Sequence, residues 1–292
     1  MKKILKRLFT FNKQPVVSND YINDINYTKA VDYAKNRYLK QYPSHTYGDF
    51  IIAFDEYIQM DNFKVNENVE IVGGCKEETH FVMRMITEYY LLQVFKSMKI
   101  DMDDENVKQD LSVGNIGTPG RVAKMWCGFD LNDSNELMGG RWSNKPRMAS
   151  FLEQETQQDL INIRKGIPIT KRVDLTAVCS HHLAPFSSLL RPDSYAIVSY
   201  IPSKKYIGIS KLGKLVDWIA QRGWLQEDLV KAIYSEIVKT TGSKNVYVKL
   251  YNIVHTCEYL RGLKSNDGAF TDEFYSGKFK NKKLRDQVQP HK

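Results

Sequence analysis

The second half of the chain contains a strand, two helices and a second strand in close succession. Residues 195–202 are rich in β-branched and aromatic side chains and end at a proline, which predicts a strand. Residues 246–255 alternate strongly enough to predict the other strand. Between them, Ser210 can cap a first helix, Gly223 breaks it, and a second helix follows over about 225–240. This succession is typical of an α+β fold.

The first half of the chain has a different pattern. Residues 1–78 are polar and rich in tyrosine, and we interpret them as a partly helical N-terminal extension of unassigned function. From 77 to 97, apolar residues recur at helical intervals. Thr118-Pro119 can begin a short helix, with threonine as the cap. We therefore predict an N-terminal helical region, a main domain over 79–280, and a charged tail over 281–292.

Composition and cysteine usage indicate the cellular compartment and the charge of a binding partner. Of 292 residues, 42% are hydrophobic and 26% are charged, as in ordinary soluble proteins. No run approaches the roughly 18 apolar residues of a membrane span. The four cysteines are far apart, and the basic N-terminus lacks a sustained apolar core, so we expect a cytoplasmic protein with reduced thiols. The net charge of +8 favours anionic partners, but its even spread selects no class among them.

Two short segments contain the side chains best suited to bind a metal. Cys179 and His182 form a Cys-x-x-His turn, and Cys257 follows the later strand. A short turn can present a thiolate and an imidazole to one ion, and Cys257 could complete a set of three. Three protein ligands with an open position are typical of catalytic zinc, whereas structural zinc normally has four. A water molecule in the open position has its pKa lowered to about 7.

Each of these side chains also has an ordinary structural explanation. A cysteine is often a small buried apolar residue, and a histidine near a strand end often makes a hydrogen bond in the core. The clustering favours the metal site, since Cys75, Cys127, His45 and His80 show no similar grouping.

Five motifs resemble those of the GTP cyclohydrolase I family, in the family's order and near its spacing. They are Thr118-Pro-Gly-Arg-Val-Ala-Lys-Met, Cys179-Ser-His-His-Leu-Ala-Pro-Phe, Gly208-Ile-Ser-Lys-Leu, Gln221-Arg with Gln226-Glu, and His255-Thr-Cys with Arg261-Gly. The resemblance covers about residues 80–280. It implies a tunnelling fold, in which an antiparallel sheet carries a helix pair on one face. It also implies a ring-like homo-oligomer, a decamer, with active sites between subunits.

The resemblance further implies an activity and a set of roles. The activity is zinc-dependent hydrolysis of GTP at C8, with formate release and rearrangement to 7,8-dihydroneopterin triphosphate. GTP is then the partner, with neither nucleic acid nor membrane. The implied roles are Zn²⁺ binding by Cys179, His182 and Cys257, proton transfer by His181 and His255, guanine binding by Gln226 and Glu227, and triphosphate binding by Ser210, Lys211, Lys214, Arg121 and Arg261. Several cations and donors suit a polyanionic tail, and a carboxylate suits the N–H groups of guanine.

These assignments have simpler alternatives, and the chain departs from the family pattern. Scattered lysines often form a solvated face, and an acid in the first turn of a helix is favoured by the helix dipole. Ser180 stands where the family usually has glutamate. Lys214 stands where an arginine usually contacts phosphate, so the charge is kept and the bidentate fork is lost. Gly223-Trp224 and Asp228 replace family residues around the guanine-binding glutamate.

Two other functions are compatible with the same residues. One is another tunnelling-fold enzyme of 7-deazaguanine synthesis, a nitrile reductase, which uses a cysteine nucleophile and NADPH without zinc. The other is a non-catalytic member that binds guanine nucleotide. The paired ligand motifs disfavour the first, and the retained ligands and histidines disfavour the second. The sequence leaves the downstream pathway open among folate, biopterin and 7-deazaguanine.

Overall fold

The computed structural model describes residues 25–60, 75–110, 115–128, 145–148, 154–163, 166–260, 262 and 269–289. The chain divides into two units, Met1–Phe63 with Gly74–Glu136, and Lys64–Gly73 with Leu137–Lys292. Each unit has its own core of buried apolar side chains. Among the described helices, none combines the length and apolar character needed to cross a bilayer.

The first unit is helical throughout its described elements. They are α1 (Ile25–Gln41), α2 (Tyr47–Gln59), α3 (Glu77–Ser97) and α4 (Gly117–Cys127). The Thr46 hydroxyl accepts the N–H of Asp49, whose carboxylate accepts the N–H of Thr46, so a capping box begins α2. Aromatic rings such as Tyr38 and Phe81 join the helices in one core. The predicted N-terminal helical region is confirmed in part, by α1 and α2, and residues 1–24 and 61–74 lie outside the described part.

The second unit contains the sheet. Its elements are α5 (Gln154–Ile163), β1 (Ile169–Val173), β2 (Thr176–Cys179), β3 (Ala184–Ser187), a 3₁₀ turn (Ser188–Leu190), β4 (Tyr195–Tyr200), α6 (Ile209–Ala220), β5 (Gly223–Trp224), α7 (Gln226–Thr241), β6 (Val246–His255), α8 (Thr256–Leu260), β7 (Ala269–Tyr275), a 3₁₀ turn (Gly277–Lys280) and α9 (Lys282–Gln287). Both strands and both helices predicted between residues 195 and 255 are present, and the α+β class is confirmed.

The described strands form one mixed sheet. Their order is β1-β4-β6-β3-β2-β5, and β7 pairs with the other edge of β6. Five of the pairings are antiparallel, but β2 and β5 are parallel, with Cys179 opposite Trp224. The expectation of an antiparallel sheet is therefore wrong at this edge. The reason is that the chain leaves helix α6 and enters β5 in the same direction as β2.

Helices α6 and α7 cover one face of the sheet. Helix α6 buries apolar residues at helical intervals, among them Leu212, Val216 and Ile219, as expected for one amphipathic face. They belong to the same core as Val198 of β4 and Val248 of β6, which are directly paired across the strands. This core fixes the start of α7 and the end of β6, where several predicted site residues lie.

Two predicted helix caps are wrong. Helix α4 begins at Gly117, and the Thr118 hydroxyl donates to the carbonyl of Asn106 (3.2 Å) instead of capping the helix. Helix α6 begins at Ile209 after Gly208, so Ser210 lies inside its first turn. In both helices the turn into the helix comes before the hydroxyl residue, which places that hydroxyl beyond the N-cap position.

The C-terminal segment covers the opposite face of the sheet. Tyr195 and Ile197 alternate along β4 with the residues that face the helices, so they point to the other side. They pack with Phe279, which is fully buried, and with Leu284 of α9. The segment predicted as a charged tail thus includes a short helix whose Leu284 packs against this core, although lysine and arginine are frequent in its sequence.

We predict that Phe279→Ala lowers the free energy of unfolding by about 3–5 kcal/mol, because it leaves a cavity under the C-terminal segment. Urea or thermal unfolding measures the change. Leu189→Ala is the control, since Leu189 is 66% exposed and its truncation should cost within about 0.5 kcal/mol. Equal losses in the two variants would show that the segment contributes nothing to the core.

Candidate metal centre

Cys179, His182 and Cys257 lie together at one end of the sheet. Cys179 is the last residue of β2, His182 lies in the turn after it, and Cys257 is in the first turn of α8, directly after β6. Their sulfur atoms and imidazole nitrogen all lie within 4.8 Å of one another. In the described part of the chain, this is the group of three His, Cys, Asp or Glu side chains with metal-binding geometry.

The turn between β2 and β3 fixes the first two of these side chains. Cys179 pairs with Ala184, and the N–H of Leu183 donates to the Cys179 carbonyl (2.8 Å). Leu183 has φ 51°, in the left-handed region that leucine rarely adopts. The Thr256 hydroxyl donates to the Pro185 carbonyl (2.6 Å), which ties the start of α8 to β3.

The chemistry of this group fits zinc. Two sulfurs and one imidazole are ligands that Zn²⁺ prefers, at about 2.3 Å for sulfur and 2.0–2.1 Å for nitrogen. Ligand atoms within 4.8 Å of one another can reach one ion with small side-chain movements. Burial and the adjacent Cys179 raise the pKa of the Cys257 thiol, and a divalent cation would favour the thiolates. His182 is exposed, so the group faces solvent on one side.

His255 is held by its neighbours beside this group. Its ring stacks on Phe186, with centroids 4.5 Å apart and planes 4° apart, and the edge of Phe270 approaches it at 5.2 Å. Its Nε2 lies 2.9 Å from Oε1 of Gln226, at the start of α7. Burial lowers the pKa of His255, and the negative charge of Glu227 opposes that shift.

The other residues predicted to meet the purine lie on the same elements. His181 is exposed in the turn after β2, with its ring 6.1 Å from that of His182. Glu227 is exposed in the first turn of α7, next to the buried Gln226. Through the contact of Gln226 with His255, the start of α7 meets the end of β6.

The residues predicted to bind the triphosphate fall in three places. Ser210, Lys211 and Lys214 lie in the first turns of α6, where Ser210 and Lys214 are exposed. Arg121 belongs to the first unit, near the start of α4. Arg261 lies outside the described residues.

The comparison with protein families shows to which family the chain is related. The family model for GTP cyclohydrolase I matches residues 100–291. The chain belongs to the GTP cyclohydrolase I family. The match leaves out α1, α2 and α3 of the helical unit, so GTP cyclohydrolase I similarity covers only part of it.

Curated relatives named GTP cyclohydrolase 1 support the same family at modest identity. The protein of Flavobacterium johnsoniae is 32% identical over 190 residues, which are 63% of this chain and 76% of the relative. That of Edwardsiella ictaluri is 27% identical over 194 residues, or 66% of this chain and 75% of the relative. That of Citrobacter koseri is 26% identical over 192 residues, or 65% and 73%.

One lysine near the proposed phosphate residues was missed in the sequence. The ammonium of Lys171, on β1, lies so close to α6 that a Cβ on Gly213 would be 2.7 Å from its Nζ. Gly213 lies between Ser210 and Lys214 in the helix. A glycine inside a predicted helix is a signal of such a close approach, and it indicates where to look for a partner.

We predict that Cys179→Ser, His182→Asn and Cys257→Ser each weaken zinc binding by at least about tenfold, since each removes a ligand. Elemental analysis and the sulfur-to-metal absorption of the Co²⁺-substituted protein measure the binding. Cys75→Ser is the matched control, because Cys75 lies in the helical unit. Unchanged metal content in the three ligand variants would refute the assignment.

Proposed function

We propose that this protein hydrolyses GTP at C8 of guanine in a zinc-dependent reaction, releases formate, and forms 7,8-dihydroneopterin triphosphate. The observation that carries the proposal is the Cys179, His182 and Cys257 group beside His255, in a chain of the GTP cyclohydrolase I family. The names of the relatives support GTP as the substrate.

The metal ligands leave one side of the centre for a reactant. Zinc bound by the two cysteines and His182 would act as a Lewis acid and lower the pKa of a water molecule to about 7. The exposure of His182 gives the purine access from solvent. Three ligands, with no fourth among the described side chains of this group, are typical of catalytic zinc.

We assign proton transfer to His181 and His255. An amide oxygen can only accept a hydrogen bond, so Oε1 of Gln226 requires that Nε2 of His255 carries the proton. The neutral ring then accepts at Nδ1. Stacking on Phe186 fixes the plane of this ring, whereas the exposed His181 can turn toward the imidazole ring of guanine.

The remaining side chains are assigned to substrate binding. The exposed carboxylate of Glu227 suits the ring N–H and amino group of guanine, and Gln226 lies beside it. Ser210, Lys211 and Lys214 are assigned to the triphosphate, together with Arg121, and with Arg261 from outside the described residues. These contacts position the substrate rather than take part in bond making.

The proposal also covers the fold, the assembly, the cellular location and the domain boundaries. We assign the tunnelling fold, a ring-like homo-oligomer (a decamer) and a cytoplasmic location, with residues 1–78 as an extension, 79–280 as the catalytic domain and 281–292 as the tail. The described sheet is open, and its edge strands could pair with a neighbouring copy, which supports closure of a ring by assembly.

We predict that the zinc-loaded protein converts GTP to formate and a pterin that fluoresces after oxidation. A chelator should abolish both products and added zinc should restore them. Formate without pterin would limit the activity to ring opening. Binding of GTP with no product would favour the non-catalytic alternative, and reduction of a nitrile with NADPH would favour the 7-deazaguanine alternative.

We predict that His181→Ala keeps its zinc and loses about 10²–10⁴-fold in kcat, because proton transfer is lost. Ser180→Ala is a control from the same turn, since the Ser180 hydroxyl is buried without a hydrogen-bond partner among the described residues. GTP turnover and metal content are measured for both. Parent-like turnover by the zinc-loaded His181→Ala protein would remove His181 from the mechanism.

A further inference from the structure

The guanidinium of Arg121 is held in place by oxygen atoms of its own unit. Its Nη2 donates to the carbonyl of Asn106 (2.5 Å) and to the hydroxyl of Thr118 (2.8 Å). Its Nη1 donates to Oδ1 of Asn115 (3.3 Å). Because a guanidinium has five N–H donors, two remain for another ligand as far as the described contacts extend. The residue is exposed, so an anion can approach the guanidinium from solvent.

The loop that supplies these oxygens is bound tightly to the start of α4. The N–H of Thr118 donates to the Val107 carbonyl (3.0 Å), and Asp110 and Asn115 exchange backbone hydrogen bonds. Gly117 has φ 68°, and a Cβ there would lie 2.8 Å from the Val107 carbonyl. Position 117 therefore requires glycine, which lets the loop and the helix pack against each other.

Asn115 is the side chain that joins loop, helix and arginine. Its Oδ1 accepts from the N–H of Gly117 (3.0 Å) as well as from Arg121. Its Nδ2 donates to the carbonyl of Lys108 (3.3 Å). All three contacts depend on one planar amide, so Asn115 is one of the three groups that hold the arginine, and it is the one that also joins the loop to the start of the helix.

A buried carboxylate from α3 supports this loop. Glu88 is 3% exposed, and its Oε1 accepts from Nε2 of Gln109 (2.8 Å) and from the hydroxyl of Tyr33 in α1 (2.5 Å). Burial and the charge of Glu88 raise the pKa of Tyr33, so this hydroxyl stays protonated as a donor. Gln109 Nε2 also reaches the Ile116 carbonyl (3.3 Å). Glu88 and Tyr33 both precede the residues that match the family.

We propose that Asn115 is a positioning residue that holds Arg121 ready to bind phosphate oxygens, and that Tyr33 and Glu88 of the N-terminal helices support it. The inference rests on the proposed function, which makes the triphosphate the ligand of Arg121. A side chain already held in its binding orientation loses less conformational freedom when the anion arrives. The N-terminal helices thereby acquire a role in substrate binding without touching the substrate.

The test is a double-mutant cycle in the full chain. Asn115→Ala should raise KM for GTP by about threefold to tenfold with little change in kcat, since the lost ordering affects binding of the triphosphate in ground and transition states alike. In an Arg121→Ala background, which itself raises KM, Asn115→Ala should add nothing. Equal effects of Asn115→Ala in both backgrounds, a loss confined to kcat, or an Arg121→Ala protein with parent KM would overturn the proposal.

Two further variants separate positioning from folding. Thr79→Val removes the hydrogen bond from the buried Thr79 to Glu56 (2.8 Å) in the same unit, and neither residue is among the described contacts of Arg121. It should lower the melting temperature and leave KM at the parent value. Tyr33→Phe removes the donor to Glu88 and should raise KM by about twofold to threefold, again only when Arg121 is present. A parent KM for Tyr33→Phe would exclude α1 from the support.

Binding of inorganic tripolyphosphate, measured by titration calorimetry, makes the inference independent of turnover. Weaker binding in Asn115→Ala, with no further loss in the double variant, supports the positioning role even if GTP is not converted. Normal GTP turnover with parent-like tripolyphosphate binding in Asn115→Ala would refute the positioning role and leave the proposed function intact.

Discussion

The pairing of β3 with β6 is the interaction on which the candidate metal centre depends. Phe186 lies opposite His255, and Ser187 opposite Val254. Cys179 and His182 come just before β3, and Cys257 just after β6, so these pairs bring together ligands from distant parts of the chain. The Thr256 hydroxyl on the Pro185 carbonyl closes the same junction. Without this short ladder, the sequence spacing alone would not place three ligands around one ion.

The same junction orders the groups around the candidate metal site. Phe186, a buried residue of β3, provides the flat surface on which the His255 ring stacks. The packing of α6 and α7 on the sheet then brings Gln226 within hydrogen-bond distance of that ring. Stacking on Phe186 and the contact with Gln226 together hold the His255 ring in one orientation. In the proposed reaction, a ring already ordered by the packed core would need no further ordering when the substrate binds.

Local sequence predicted the α+β class and the three side chains that meet in the candidate metal site, because both leave short-range signals. The strand around residue 197 is rich in β-branched and aromatic side chains, the strand around residue 250 alternates strongly, and a Cys-x-x-His turn needs no distant partner to be recognised. The parallel edge strand was missed, since Gly223-Trp224 is too short to show any alternation. The buried Phe279 was missed because lysines surround it in the sequence.

The support of Arg121 was also beyond sequence reasoning, for a different physical reason. Asn115, Gln109 and Glu88 are polar residues that an isolated sequence assigns to solvent. Their side-chain contacts depend on how the loop before α4 folds against α3. In the sequence, only Gly117 indicates that the loop and the helix pack closely. A glycine before Thr-Pro is equally typical of an ordinary turn.

The β2–β3 turn would also link stability to metal binding. Leu183 adopts a left-handed conformation that costs a non-glycine residue of order 1–3 kcal/mol, and the hydroxyl of Ser180 is buried without a hydrogen-bond partner among the described residues. Both costs fall in the four residues that present His181 and His182. The backbone pairing of Cys179 with Ala184 offsets part of these two costs. Metal ligation of Cys179 and His182 would oppose them further, since binding free energy at such a site is also folding free energy. Strain in this turn is therefore compatible with a stable fold because the same residues are held at both ends.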